Sequence, residues 1–242
     1  MIIRRFIDLD NTIIFSYRHD IGEKVAVEYY QGRQQSYMPV DAFEILQTKD
    51  NDVLIPLTSR TLAQYERVRL FADGRIPQYA LLDNGGILLI NGKTDKEWTA
   101  ETERMLGKDI EIMKSCQESF GRFGKIKLQD GLVYLLKLHD VSDMPYIEEI
   151  VYEKGLMIFR HMDKVYICSQ KLTKGNAIKR FVEKYHSDYV ISAGDSWVDV
   201  SMMEVSDAGV YSADLQDELG DNTNVILVEN KYIFQELMKI CT

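Results

Sequence analysis

The hydrophobic pattern opens with an apolar-rich run, Ile2 to Leu9, that reads as a buried strand. Lys24–Tyr30 alternates polar and apolar residues, Gln31-Gly32-Arg33 reads as a turn, and Gln34–Met38 reads as a returning strand, so a β-hairpin is predicted. Pro39 and Asp41 start a helix whose apolar face is Ala42, Phe43, Ile45 and Leu46. A second buried strand covers Asp52–Thr58. Pro56 has no N–H to give a ladder, so a break is predicted just before Thr58. Thr61–Phe71 reads as a helix, and Tyr79–Leu82 as a third strand ended by Asp83-Asn84-Gly85-Gly86.

Strand, helix, strand, helix, strand is the signature of an α/β fold with a doubly wound, mostly parallel sheet. The pattern then shifts. Thr94 to about Ser119 reads as a long amphipathic helix, broken at Gly107. Lys125–Leu128 and Val133–His139 flank Gln129-Asp130-Gly131, a strong hairpin signal. Asp143–Lys154 reads as a helix. Leu156–His161 and Lys164–Gln170 read as a second hairpin around Met162-Asp163. The residues 87–168 are therefore expected to form an inserted α+β domain, between core segments 1–86 and 169–242. The α/β pattern resumes with helices at Lys174–Tyr185, Ser201–Val205, Asp214–Leu219 and Tyr232–Ile240, and strands at Tyr189–Ala193, Ala208–Tyr211 and Val225–Val228.

Composition narrows the class. The 242 residues are 45% hydrophobic, enough for a globular core. A formal net charge of −9 argues against nucleic acid or an anionic membrane as the main partner, and leaves a small anionic substrate open. Cys116, Cys168 and Cys241 form no Cys-x-x-Cys pair and suit a reducing compartment. Without a signal-peptide pattern or an apolar run near the roughly 20 residues of a membrane span, a soluble, cytoplasmic protein is expected. The oligomeric state is not legible.

Candidate chemistry sits where the predicted strands end, the usual ligand side of an open α/β sheet. The first strand delivers Asp8, Asp10 and Thr12, two carboxylates that can face one pocket. One can attack an electrophile while the other handles a proton, and together they suit a hard cation. The second delivers Thr58, with Ser59 and Arg60 following. Lys174 begins a helix, and Gly194-Asp195-Ser196-Trp197-Val198-Asp199 follows a later strand. Each has a structural alternative: Thr58 as a helix N-cap, Lys174 as a solvated lysine, Asp195 and Asp199 as charges on a first helical turn.

In order and placement, Asp8-x-Asp10-x-Thr12, Thr58, Lys174 and Gly194-Asp195-x-x-x-Asp199 resemble the four motifs of the haloacid dehalogenase (HAD) superfamily. Thr-Ser-Arg-Thr at 58–61, Asp-Asn-Gly at 83–85 and Lys-Gly-x-Ala at 174–177 are similar to its class IIB phosphatases, which include the Cof-type and sucrose-phosphate phosphatases. The resemblance covers the whole chain, and it implies that 87–168 is a C2-type cap. It also implies that Asp8 attacks phosphorus and forms an aspartyl-phosphate, and that Asp10 exchanges the protons. Thr58 and Lys174 would hold phosphoryl oxygens. Mg²⁺ would be held by Asp8, the Asp10 carbonyl and Asp195, with Asp199 contributing through water or as an outer carboxylate. Thr12, Ser59, Arg60 and Asn84 are the further substrate-side candidates. The substrate class implied is a small phosphorylated metabolite, foremost a sugar phosphate.

Two departures stand out. Val198 replaces an Asn common in relatives, and the 24–38 hairpin enlarges the stretch after Asp10. Tyr29, Tyr30 and Tyr37 on that hairpin fit either sugar stacking or ordinary strand packing. Lys125, Lys127, Lys137, His139, Arg160 and His161 are candidate donors in the inserted domain. Rival readings are a phosphomutase of the same superfamily and a non-catalytic phosphoryl-binding regulator.

Overall fold

The computed structural model describes residues 1–240 apart from Asn51, Asp73, Met162 and Asp221; Cys241 and the Met162 turn position lie outside the described residues. The chain divides into two compact units, one made of Met1–Asp95 and the chain from Thr173 onward, the other of Lys96–Leu172. Among the described residues, no helix is long and apolar enough to cross a membrane.

The first unit begins with β1 (Ile3–Ile7), β2 (Phe15–Ser16), β3 (Lys24–Tyr30), β4 (Arg33–Pro39), α1 (Val40–Gln47), β5 (Ile55–Pro56), α2 (Leu62–Tyr65), β6 (Tyr79–Leu82), β7 (Ile87–Ile90) and β8 (Lys93–Thr94). The inserted unit holds α3 (Lys96–Ser115), α4 (Gln117–Gly121), β9 (Gly124–Gln129), β10 (Val133–Leu138), α5 (Met144–Glu153), β11 (Leu156–His161) and β12 (Lys164–Ser169). The first unit resumes with α6 (Lys174–Tyr185), β13 (Tyr189–Gly194), α7 (Trp197–Met203), β14 (Ala208–Ser212), α8 (Gln216–Leu219), β15 (Val225–Val228) and α9 (Ile233–Lys239).

A parallel sheet in the order β15-β14-β13-β1-β5 forms the centre of the first unit. Its inner strands are mostly apolar where they are buried, Phe6 and Ile7 at the end of β1 and Val190, Ile191 and Ala193 on β13, as expected for a sheet covered on both faces. Phe6 on β1 and Phe181 on α6 are fully buried and meet edge to face, with ring centroids 5.4 Å apart. Burying each ring contributes about 1.5–3 kcal/mol by area.

Several boundaries differ from the sequence expectation. The second strand is only Ile55–Pro56. Leu57 donates to Ile7 on β1, and Thr58 donates to Leu81 on β6. Backbone donors alternate sides, so proline at 56 removes a donor on the β6 side and pairing there starts with Thr58. The helix expected over 61–71 stops after Tyr65, although Thr61 and Gln64 form a capping box at its start. Val68 instead forms a β-bridge with Glu28, so tertiary pairing overrides helical propensity.

The long helix passes through Gly107 and ends at Ser115. Its buried face, Trp98, Thr102, Leu106 and Met113, continues across the glycine. The insert begins at Lys96 rather than 87, because β7 pairs antiparallel with β6 and β8 with β7 in the first unit. It ends at Leu172 rather than 168.

Within the insert, the antiparallel sheet runs β11-β12-β10-β9. One face supplies Ile126, Leu136, Leu138, Val165 and Ile167 to a core with Met113, Phe120 and Ile147. Lys125, Lys127 and Lys137 alternate onto the opposite face, with Lys125 directly across from Lys137. His139 and Arg160 are exposed, and of His161 only the backbone is described.

Candidate active site

β1 ends at Ile7, and the next residue is Asp8, whose N–H donates to Ala193 on β13 at 2.9 Å. The chain then folds back on itself, with the N–H groups of Ile13 and Ile14 both donating to the Leu9 carbonyl. Thr12 and Asp8 are thereby buried, at 1% and 6% exposure.

Lys174 is the first residue of α6, behind the N-cap Thr173, whose hydroxyl accepts from the Asn176 N–H. A cation at a helix N-terminus opposes the helix dipole. Two carboxylates compensate it. The Lys174 ammonium donates to Asp8 Oδ1 at 2.5 Å and to Asp199 Oδ1 at 2.5 Å. Gly175 makes this approach possible: a Cβ there would overlap the Ser201 carbonyl of α7, and its N–H donates to Ser201 Oγ at 3.1 Å. Gly194 does the same on β13, where a Cβ would run into the Asp199 carboxylate.

Asp199 is wholly buried, and its second oxygen accepts from the N–H groups of Asp195 and Ser196 and from the Ser196 hydroxyl, at 3.1, 3.0 and 2.8 Å. Thr12 donates its hydroxyl to Asp195 Oδ1 at 3.3 Å. Asp8, Asp195 and Asp199 each place an oxygen within 4.8 Å of the others'. Three carboxylates therefore surround one ammonium. Burial first, then the charges of Asp199, Asp195 and Asp10, push the Asp8 carboxyl well above its ordinary value despite Lys174. Burial and Asp199 push Asp195 up to about 7 against Lys174, Thr12 and Asn11. Excess negative charge on hard oxygen donors is the arrangement that suits a divalent cation such as Mg²⁺.

Thr58 follows β5 and is fully buried. Its hydroxyl accepts from the Arg60 N–H at 3.2 Å, and its carbonyl accepts from the Asn84 N–H at 2.9 Å. Asn84 is 2% exposed, at φ +55°, and its side-chain oxygen has no hydrogen-bond partner among the described residues. Ser59 is exposed.

Asp10 lies outside the carboxylate cluster. Its half-exposed carboxylate accepts two hydrogen bonds from Arg60, Nε and Nη2, both at 2.7 Å. The Arg60 side chain is itself 10% exposed, and its Nη2 also donates to Glu28 at 3.0 Å. Burial opposes the Arg60 charge, but Asp10 and Glu28 together hold its pKa above the ordinary value. The guanidinium placed among substrate-side candidates is thus bonded to two carboxylates of the chain itself. Trp197 and Tyr29 and Tyr30 are exposed, while Tyr37 is half-buried against Lys24.

The structure also brings in residues the sequence did not single out, Glu28, Ser36 and Arg67. The only signal was a charged residue inside a strand, and alternation pointed it to solvent.

A family model matches nearly the whole chain. Residues 6–237 match the model described as sucrose-6F-phosphate phosphohydrolase. The chain belongs to that family. It is a phosphoric monoester hydrolase of the HAD superfamily, in its class II, with the α/β core and inserted domain of that fold. Solved structures support the fold. The sucrose-phosphatase from Synechocystis sp. PCC6803, determined with sucrose and phosphate, is 16% identical with a TM-score of 0.68, over 98% of each chain. An Aspergillus fumigatus trehalose-6-phosphate phosphatase is 13% identical with a TM-score of 0.54, over 98% of this chain and 91% of that one. A haloacid dehalogenase-like hydrolase from Bacillus subtilis is 18% identical with a TM-score of 0.57, over 99% and 91%. Among curated proteins, none matches the chain by sequence. Membership places this phosphohydrolase among sugar-phosphate phosphatases, with a sugar phosphate as the fitting substrate class.

Proposed function

We propose that the chain hydrolyses a small sugar phosphate through an aspartyl-phosphate on Asp8, with Mg²⁺ as cofactor. One observation carries the reading: Asp8 and Asp199 share the Lys174 ammonium at 2.5 Å, within a cluster that includes Asp195. A nucleophilic carboxylate and a phosphate dianion repel each other, so attack needs positive charge beside both. Asp8 and Asp195 are the carboxylates with oxygens to offer a metal. Asp199, whose oxygens are committed to Lys174 and to three donors, serves from behind them. When bound, Mg²⁺ supplies charge neutralisation at the phosphoryl group.

In the first step an Asp8 oxygen bonds to phosphorus and the ester P–O bond breaks. Its electron pair leaves on the sugar oxygen, which takes a proton from Asp10. In the second, water attacks the phosphorus, its proton passes to Asp10, and Asp8 is released. Thr58 and Lys174 hold phosphoryl oxygens. Thr12, Ser59 and Asn84 line the substrate side. The Lys96–Leu172 unit is the specificity cap, a reading supported by Lys125, Lys127 and Lys137 sharing the sheet face opposite its core. Lys137 also lies 3.7 Å from Asp163, so one carboxylate of the chain already offsets part of this positive face.

The test is phosphate release from a panel of phosphate esters, including sucrose 6-phosphate and trehalose 6-phosphate, with and without Mg²⁺. Mg²⁺-dependent release from a sugar phosphate is expected. Equal release with a chelator present would contradict the metal assignment.

A further inference from the structure

Glu28 has no part in the roles above, yet it is a charged side chain at 0% exposure on the β3–β4 hairpin. Strict alternation along β3 would send it outward when Val27 faces inward. Register shifts on both sides of Glu28 turn it inward together with Val27. An ionised carboxylate is costly to bury unless it is paired and hydrogen-bonded. Ser36 donates its hydroxyl to Glu28 Oε2 at 2.6 Å, and Arg60 Nη2 donates to the same oxygen at 3.0 Å. Arg67 Nε lies 3.2 Å from Oε1 as an ion pair without hydrogen-bond alignment.

Such a pair is weak evidence of a stability device, because an apolar residue of similar volume stabilises a core at least as well. What Glu28 fixes is the guanidinium of Arg60. Arg60 Nη1 donates to the Gln64 carbonyl at 3.3 Å, Nη2 is shared between Glu28 and Asp10, and Nε completes the fork on Asp10. The plane of Arg60 is held on one side by Glu28 and Gln64, and on the other it holds Asp10. A carboxylate with a side-chain exposure of 51% would otherwise exchange between rotamers.

We propose that Glu28 is a positioning residue for Asp10, acting through Arg60. The enlarged hairpin after Asp10 then carries the support that aims the proton-transferring carboxylate. Ser36 and Arg67 hold Glu28 in turn. The inference rests on the reading of Asp10 as the group that protonates the leaving oxygen.

The experiment compares kcat/KM for alkyl esters, sucrose 6-phosphate and glucose 6-phosphate, with that for p-nitrophenyl phosphate, whose leaving group needs little protonation. Glu28→Gln is expected to lower kcat/KM for the alkyl esters about tenfold or more and for p-nitrophenyl phosphate less than about threefold, a fraction of what a full general acid supplies. Ser36→Ala, a small deletion that keeps Glu28, should give a weaker loss of the same selectivity and decides the matter if Glu28→Gln fails to fold. Equal losses on both ester classes, or no loss, overturn the positioning role. Asp10→Asn is the control. If Asp10→Asn lacks the selectivity, the reading of Asp10 itself fails. If Asp10→Asn shows it and the Glu28 and Ser36 variants do not, only this inference fails.

Discussion

Lys174 Nζ and Asp199 Oδ1 lie 2.5 Å apart, with side chains 3% and 0% exposed. The other Asp199 oxygen accepts three donors from Asp195 and Ser196, so the pair has no freedom to separate without stranding several polar groups. Removing one member of a buried, hydrogen-bonded ion pair costs about 3–5 kcal/mol. Asp199→Asn should therefore lower the stability of the metal-free protein by about that amount, read as a shift of the urea midpoint at unchanged slope. A midpoint equal to wild type would show that Lys174 and Asp199 are not paired.

Metal and pH should act on stability through the same cluster. Asp195 sits at about 7 instead of 3.8, and Asp8 is shifted in the same direction. A folded-state pKa above the unfolded one means that the native state holds protons the unfolded chain has released. Stability of the metal-free protein then falls as pH rises from 3.8 through about 7, the span over which Asp195 releases its proton in the folded state. Mg²⁺ should reverse this loss, by about 2.7 kcal/mol at a concentration a hundred times its Kd. Thermal melts at pH 5 and pH 8 check both signs: the Mg²⁺-induced rise in Tm should be larger at the higher pH. A larger rise at pH 5 would contradict the cluster as the metal site.

Gly175→Ala tests how Lys174 is delivered. The new methyl group meets the Ser201 carbonyl, so α6 and α7 must part and carry Lys174 away from Asp199. The expected cost is about 1–3 kcal/mol, as for other overpacked sites. Phosphatase activity should fall further than that loss explains at temperatures where the variant is fully folded. Full activity in a folded variant would show that the close approach of the two helices is dispensable.

Cys168 should be chemically silent. It is 0% exposed, and burial pushes its thiol up to about 12, leaving almost no thiolate near neutral pH. Iodoacetamide followed by peptide mass spectrometry should find it unmodified in the native protein and modified in urea. Rapid native labelling would show that this part of the insert opens readily.

The parallel core was legible because its strands are apolar-rich toward their ends and are followed by polar residues, Asp8 after β1 and Asp195 after β13. Those ends, with Lys174 after the N-cap Thr173, mark in the sequence the positions that the fold gathers into one cluster. Glu28 was not legible, because the bulge that turns it inward leaves no trace in an alternating pattern. Nor was the pairing of Asp10 with Arg60, since the two lie 50 residues apart and nothing local fixes the rotamer of either. The stop after Tyr65 and the passage of α3 through Gly107 follow from what each segment packs against, which outweighs the roughly 1 kcal/mol differences in local propensity.

The most direct measurement of the central claim uses Asp10→Asn with p-nitrophenyl phosphate and Mg²⁺, quenched in acid and digested for mass spectrometry. One phosphoryl group on the peptide containing Asp8, absent in Asp8→Asn, is the predicted result. A variant that turns over and never carries phosphate on Asp8 would contradict the account.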